Sequence, residues 1–279
     1  CVSDGGERWP NKTYYFRADP SFAVPALDAA DATVASLANN HTLDFGAAAL
    51  DDTLDHLDRA GVAHAGAGPD ADAAFGPTVV EAGGLTVAVV ALTDRFPAYR
   101  AGPDSPGTAH LPLTTVDGSS RHLVGEMIAA ARASDPDLIL ASLHWGPNWK
   151  TEPARHRKRF ARWLIDQGVD VIHGHSAHVI QGVETYRGRP IIYDAGDFVD
   201  DYLYREDVHN KRSFLFELVL ADGRLSAVDL IPIAIRDERA MLADGDVAAW
   251  LREIMRERSG AFGTTVERSG DGLRIPLRC

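Results

Sequence analysis

Residues 169–179 read VDVIHGHSAHV, an apolar run too short for a helix that breaks at Gly174 into a turn carrying His173, His175 and His178. That pattern is a buried strand with polar chemistry at its carboxyl end, where α/β proteins bind their ligands. Moving outward, the same organisation recurs. DLILASL at 137–143 runs directly into His144-Trp145-Gly146, and PIIYD at 190–194 into Ala195-Gly196-Asp197. LTVAVVAL at 85–92 reads as a further buried strand, entered through Gly83-Gly84. Helical segments lie between these runs. Residues 47–60 put Leu50, Leu54 and Leu57 on one face, ended by Gly61. Residues 121–133 look helical, and Phe160, Trp163 and Leu164 mark a helix ending at Gly168. Alternating strands and helices predict a layered α/β fold. Residues 213–220 and 224–235 flank Asp222-Gly223, a hairpin signal; 246–258 reads as a terminal helix and 270–277 as a last strand or tail.

With 279 residues and no repeat or composition break, the chain reads as a single domain over 1–279. The Pro- and Gly-rich segment 94–120 reads as a long loop on the active-site side. A net charge of −12 argues against non-specific nucleic-acid binding, which needs cationic contacts to phosphate. It does not exclude an anionic substrate, because a bound metal inverts the local sign of charge. No apolar run approaches the roughly 20 residues of a membrane span, and no signal-peptide pattern is visible. The two cysteines, Cys1 and Cys279, specify no disulfide framework.

Four clusters carry the candidate chemistry, each after an apolar stretch: SLANNHTLD at 36–44, SLHWG at 142–146, HGHSAH at 173–178 and DAGDFVDDY at 194–202. Three imidazoles within six residues can converge on a metal, or can be surface groups shaping a turn. His144 alone is as well explained by structure as by ligation. Asn40 offers a ligating amide oxygen and His41 an acid for a leaving group. Asp44 either orients His41 or caps the following helix. Asp197 is a candidate ligand or supporting acid, whereas Asp200 and Asp201 read as a solvated acidic turn. Phosphate-loop, dinucleotide-binding and serine-hydrolase motifs are absent.

In order and spacing, ANNHTLDFG, SLHWGPNW, GVDVIHGHSAHVIQGVE and IIYDAGDFVDDY resemble the CapA-type proteins of poly-γ-glutamate capsule biosynthesis, within the calcineurin-like metallophosphoesterase superfamily. The similarity extends from WPNKTYYFRADP at 9–20 to WLREIMRERSGAFGT at 250–264. It implies a four-layer α/β/β/α sandwich and a centre of two divalent ions (Mn, Fe or Zn). Asn40, His144, His175 and His178 would be ligands and His41, with Asp44, the acid. Asn39, His173 and Asp197 would be additional ligands or supports. The family's Asp-containing first strand and Asn-Leu-Glu motif are not in this sequence, so a domain lacking its N-terminal strands is expected. The implied activity is metal-dependent hydrolysis of a phosphoester or a γ-glutamyl amide, on an anionic polymer or phosphoester substrate. The alternative is a non-catalytic polymer-binding module.

Overall fold

Leu85–Thr93 is buried from Ala88 onward, the continuous apolar burial of a strand covered on both faces. A computed structural model of the chain describes residues 1–113, 118–200 and 203–277. Its contacts group into two compact units, Cys1–His144 with Gln167–Val169, and Trp145–Asp166 with Asp170–Cys279. Asp201, Tyr202 and Cys279, quoted above, lie outside the described residues.

The first unit runs α1 (Pro20–Ala29), β1 (Val34–Ser36), α2 (Gly46–Arg59), β2 (Ala63–Ala65), β3 (Ala67–Gly68), α3 (Ala71–Phe75), β4 (Thr78–Ala82), β5 (Leu85–Thr93), β6 (Gly107–Thr108), α4 (Gly118–Ala133) and β7 (Leu138–His144). Strand β5 pairs parallel with β7 and antiparallel with β4, and a separate parallel pair joins β1 to β2. Register places Thr93 beside His144. Helix α2 buries Ala49, Leu50, Thr53 and Leu57, the stripe expected of an amphipathic helix. Leu50 packs with Leu43, Ala67 and Tyr99 into a core cluster extended by Trp9, Leu37, Leu54 and Phe96. The residues that hold the loop after β1 are therefore anchored in that core. The 94–120 loop is not wholly irregular: it contributes the short turn Pro97–Tyr99 and strand β6.

The second unit runs α5 (Arg155–Asp166), β8 (Val171–His175), β9 (Val183–Tyr186), β10 (Arg189–Ile192), β11 (Arg212–Ala221), β12 (Arg224–Arg236), β13 (Arg239–Leu242), α6 (Gly245–Gly260), β14 (Glu267–Ser269) and β15 (Gly272–Pro276). Strand β10 pairs parallel with β8 and antiparallel with β9. The hairpin β11–β12 turns at Asp222 (φ 51°) and Gly223 (φ 73°). Both φ angles are positive, as a tight two-residue hairpin turn requires. Tyr193 is fully buried, stacked 6.3 Å from Trp145 and 5.1 Å from Phe262. The fold is mixed α/β; strands and helices alternate through the first unit, but β8 to β13 of the second follow one another without a helix, so the expected alternation does not extend there.

Candidate functional site

All four clusters lie where strands end: after β1, at the close of β7, at the close of β8 and after β10. They divide between the units, with Asn39, Asn40, His41, Asp44 and His144 in the first and His173, His175, His178 and Asp197 in the second.

In the first unit, Asn39 spends its side-chain oxygen on the loop itself, accepting from His41 N (2.8 Å) and Thr42 Oγ1 (2.9 Å). That local turn presents the next two side chains. His41 Nδ1 lies 2.7 Å from Asp44 Oδ2, Asn40 Nδ2 lies 3.1 Å from His41 Nε2, and Asn40 Oδ1 lies 2.8 Å from His144 Nε2. One donor order satisfies all three contacts. His41 donates from Nδ1 to Asp44, Asn40 donates its amide to His41 Nε2, and His144 donates from Nε2 to Asn40. Asp44 pairs with His41 and does not cap the following helix. Helix α2 has no side-chain cap, and Phe45, not Asp44, occupies the cap position.

Asp44 is completely buried and accepts from four donors: Lys12 Nζ, Tyr99 OH (2.9 Å), Phe16 N (2.7 Å) and His41 Nδ1. Burial alone would raise its pKa, but the hydrogen bonds from His41, Lys12 and Phe16 outweigh it and hold the carboxyl below its ordinary range. Lys12, itself almost buried, also donates to the Asn40 carbonyl and lies 4.8 Å from the ring centres of both Phe96 and Tyr99. Neither Lys12 nor Tyr99 was singled out by motif or spacing; Lys12 was visible only within the 9–20 stretch that carries the family resemblance.

The second unit is built differently. Trp149 (φ 67°), Ser176 (φ 114°) and His178 (φ 58°) all hold left-handed backbone, which costs L-residues free energy and clusters at functional sites. Hydrogen bonds tie these loops together: Trp145 N donates to His175 O (2.9 Å), Trp149 N to Ala177 O (2.7 Å) and Ser176 Oγ to Gly146 O (3.4 Å). Gly174 is needed for packing, since a Cβ there would overlap the Tyr193 carbonyl and lie 2.7 Å from Trp145 Nε1. His178 Nδ1 pairs with Asp197 Oδ1 at 2.8 Å, and the Trp149 ring lies 5.4 Å from that of His178. Burial disfavours the imidazolium of His178, but the hydrogen bond and charge of Asp197 more than compensate and raise its pKa. His173, 5.5 Å ring to ring from His175, has its pKa lowered by burial.

Asp194, quoted in the fourth cluster but not singled out as a site residue, is the most perturbed acid here. Burial raises its pKa to about 7 against the hydrogen bonds from Ala177 N (2.7 Å) and Gly196 N (3.0 Å), with the Asp197 charge adding to the rise. Asp197 Oδ2 is buried without a hydrogen-bond partner. Asp200 lies 3.8 Å from Lys211 Nζ.

The metal expectation can be tested against this donor set. Two ligands on one ion, with bonds of about 2.1 Å at a right angle, stand about 3.0 Å apart. Asn40 Oδ1 and His144 Nε2, 2.8 Å apart, match that edge, provided His144 gives up its Nε2 proton. Among the described residues no group of three or more His, Cys, Asp or Glu side chains is gathered to hold an ion.

The four clusters, in their order along the chain, are those of a recognised protein family. The chain belongs to the bacterial capsule synthesis protein PGA_cap family, whose family model matches residues 1–202. It is 34% identical to a probable polyglutamine synthesis accessory protein of Mycobacterium tuberculosis, over 98% of this chain and 73% of that protein. It is 28% identical to the capsule biosynthesis protein CapA of Bacillus anthracis, over 91% of this chain and 60% of that one. With the PGA biosynthesis protein CapA of Bacillus subtilis it shares 30% identity over 77% of this chain and 54% of that protein. No described helix is long and apolar enough to cross a membrane.

Proposed function

We propose that this chain is a hydrolase of capsule-type polymer metabolism, cleaving a γ-glutamyl amide or a phosphoester. The observation that carries the reading is the hydrogen-bonded order Asp44–His41–Asn40–His144. Asp44 holds His41 in the tautomer with the proton on Nδ1, so that Nε2, which accepts from the Asn40 amide in the resting network, is the atom that takes or gives a proton once a reacting group displaces that amide. Because Asp44 stays ionised, it also stabilises the imidazolium formed in between. Lys12 fixes Asp44 from the opposite side and holds the main chain of Asn40. Names of relatives that refer to CapA, PGA biosynthesis and polyglutamine synthesis support a polyglutamate substrate.

In this reading the fold is the four-layer sandwich of the metallophosphoesterases, and Asn40, His144, His175 and His178 are the side chains assigned to metal. Bound metal would supply Lewis-acid polarisation and a water acidic near neutrality. A second reading, a polymer-binding module without turnover, is favoured by the lack of a gathered three-ligand group among the described residues.

The deciding experiment assays γ-glutamyl oligomers and a phosphodiester side by side, with and without added Mn, Fe or Zn, and measures bound metal by elemental analysis. The hydrolase reading expects turnover that falls by about 10²–10⁴ in His41→Gln. No turnover of either substrate under any metal condition rejects it, and retained polymer binding then establishes the module.

A further inference from the structure

Residues 150–162 hold Lys150, Arg155, Arg157, Lys158, Arg159 and Arg162 against the single carboxylate of Glu152, in a chain of net charge −12. Five of these cations lie on α5, and four of them fall within its first five residues, with no acidic residue in the first turn. This arrangement works against the helix. The amino-terminal end of a helix dipole favours anions, and the like-charged pairs Arg155/Arg159 and Arg155/Lys158 stand one turn apart. Local rules broken without a compensating contact mark positions kept for function. Arg162 is neutralised by Glu184 (2.7 Å), and Lys158 lies over Phe262 at 4.8 Å. Lys150, Arg155 and Arg159 are exposed, and no ion pair engages them among the described residues.

These cations adjoin the site loops of the same unit. A hollow of about 210 Å³ is lined by Trp145, Pro147, Lys150, Glu152, Arg157 and Gln181. The Arg157 guanidinium packs over Gly146. Residues 145–149, which form part of this wall, are hydrogen-bonded to the 175–177 segment that carries His175 and leads to His178.

We propose that the first turns of α5, with Lys150 and the hollow beside Arg157, form a docking strip for a polycarboxylate chain, leading the polymer toward His178. The assignment rests on the polyglutamate reading above for the polymer's identity. The strip itself follows from charge complementarity: unpaired cations one turn apart match regularly spaced carboxylates, and an anion at the helix amino terminus relieves the repulsion. Guanidinium groups bind carboxylates through paired N–H donors, which suits Arg155 and Arg159.

The test is binding of fluorescently labelled poly-γ-glutamate to the full chain, with polyphosphate and duplex DNA as competing polyanions. The triple variant Lys150→Gln, Arg155→Gln, Arg159→Gln is expected to bind about tenfold or more weakly, with less sensitivity to salt. The charge-conserving variant Lys150→Arg, Arg155→Lys, Arg159→Lys is expected to keep most of the affinity, and melting temperatures no lower than the parent's confirm folding. Equal affinity in the parent and the neutralised variant overturns the strip, as does no binding by the parent at low salt. Tighter binding of polyphosphate or DNA than of poly-γ-glutamate overturns the polycarboxylate assignment. Polymer binding without turnover rejects the hydrolase and leaves the strip standing, whereas turnover of short oligomers without polymer binding rejects the strip alone.

Discussion

Asp44 and Asp194 are both buried carboxylates that follow short strands, and they have opposite electrostatic fates. Asp44 meets an ammonium, an imidazole, a phenol and a backbone N–H, so its charge is supported from every side. Asp194 meets two backbone N–H groups, which do not suffice to offset its burial, and the nearby charge of Asp197 adds to the rise. The first unit thus presents a neutralised, directionally ordered network. The second stores its peculiarities as desolvated acid, left-handed backbone at Ser176 and His178, and an unsatisfied oxygen on Asp197. Burial alone does not set an acid's role; the number of donors facing it does.

The largest expected effect tests the supported side of that contrast. Asp44→Ala leaves the Lys12 ammonium buried without its counter-charge, and loss of one partner from a buried pair costs about 3–5 kcal/mol. Denaturant unfolding measures it. The double variant Lys12→Met, Asp44→Leu should recover much of the loss, because it removes both charges together. A single-variant cost below about 1 kcal/mol would show that Asp44 is not held as described.

Next comes pH. The Asp44 pKa is lowered, so its stabilisation is present above the ordinary value of 3.8 and is lost on acidification below it. The Asp194 pKa is raised, so the unfolded chain ionises first. Stability therefore falls as pH rises from about 4 towards 7, by a few kcal/mol in all. The raised His178 pKa acts in the same direction, its contribution being lost as pH climbs past 6.5. The lowered His173 pKa works in the opposite direction, so the test is a difference: from about pH 4 to 7 the melting temperature of Asp194→Asn should rise relative to that of the parent. An unchanged slope would place the titration elsewhere.

A smaller effect probes the packing of the second unit. Gly174→Ala pushes a Cβ into the Tyr193 carbonyl and against Trp145 Nε1, an overpacking worth about 1–3 kcal/mol. Calorimetry of the variant checks it. An alanine tolerated at no cost would mean that His173 and His175 are not held by that backbone approach.

What the sequence made legible follows the range of each signal. Asn40, His41 and Asp44 sit within five residues after an apolar stretch, so local spacing revealed them, and the structure gathers them. Lys12 is 32 residues from Asp44, in a segment without periodicity, and Tyr99 lies 55 residues away in what reads as a loop. Nothing local announces that either reaches the same carboxylate. Asp194 was visible as an acid ending a strand, but its burial arises from Ala177, Gly196 and the packing around Tyr193, which no pattern encodes. Elements with strong periodicity were read closely: α2 spans Gly46–Arg59 against an expected 47–60, and β5 spans Leu85–Thr93 against 85–92. The brief β1 and the helix α1, with Pro25 inside it, gave no comparable pattern.

The smallest expected effect sharpens the donor order of the first network. Asn40 is only half-buried, so Asn40→Asp should change stability by no more than about 1 kcal/mol. Its chemistry is asymmetric, however. A carboxylate can still accept from His144 Nε2, more strongly than the amide did, but it has no N–H to give to His41 Nε2. Nitrogen NMR of the two imidazoles should therefore show His144 still protonated at Nε2, with only the modest shift of a stronger hydrogen bond, and the larger change at His41 Nε2. If both rings shift alike, or if His144 carries its proton on Nδ1 in the parent, the amide of Asn40 points the other way and the two histidines are not linked through it in the order described.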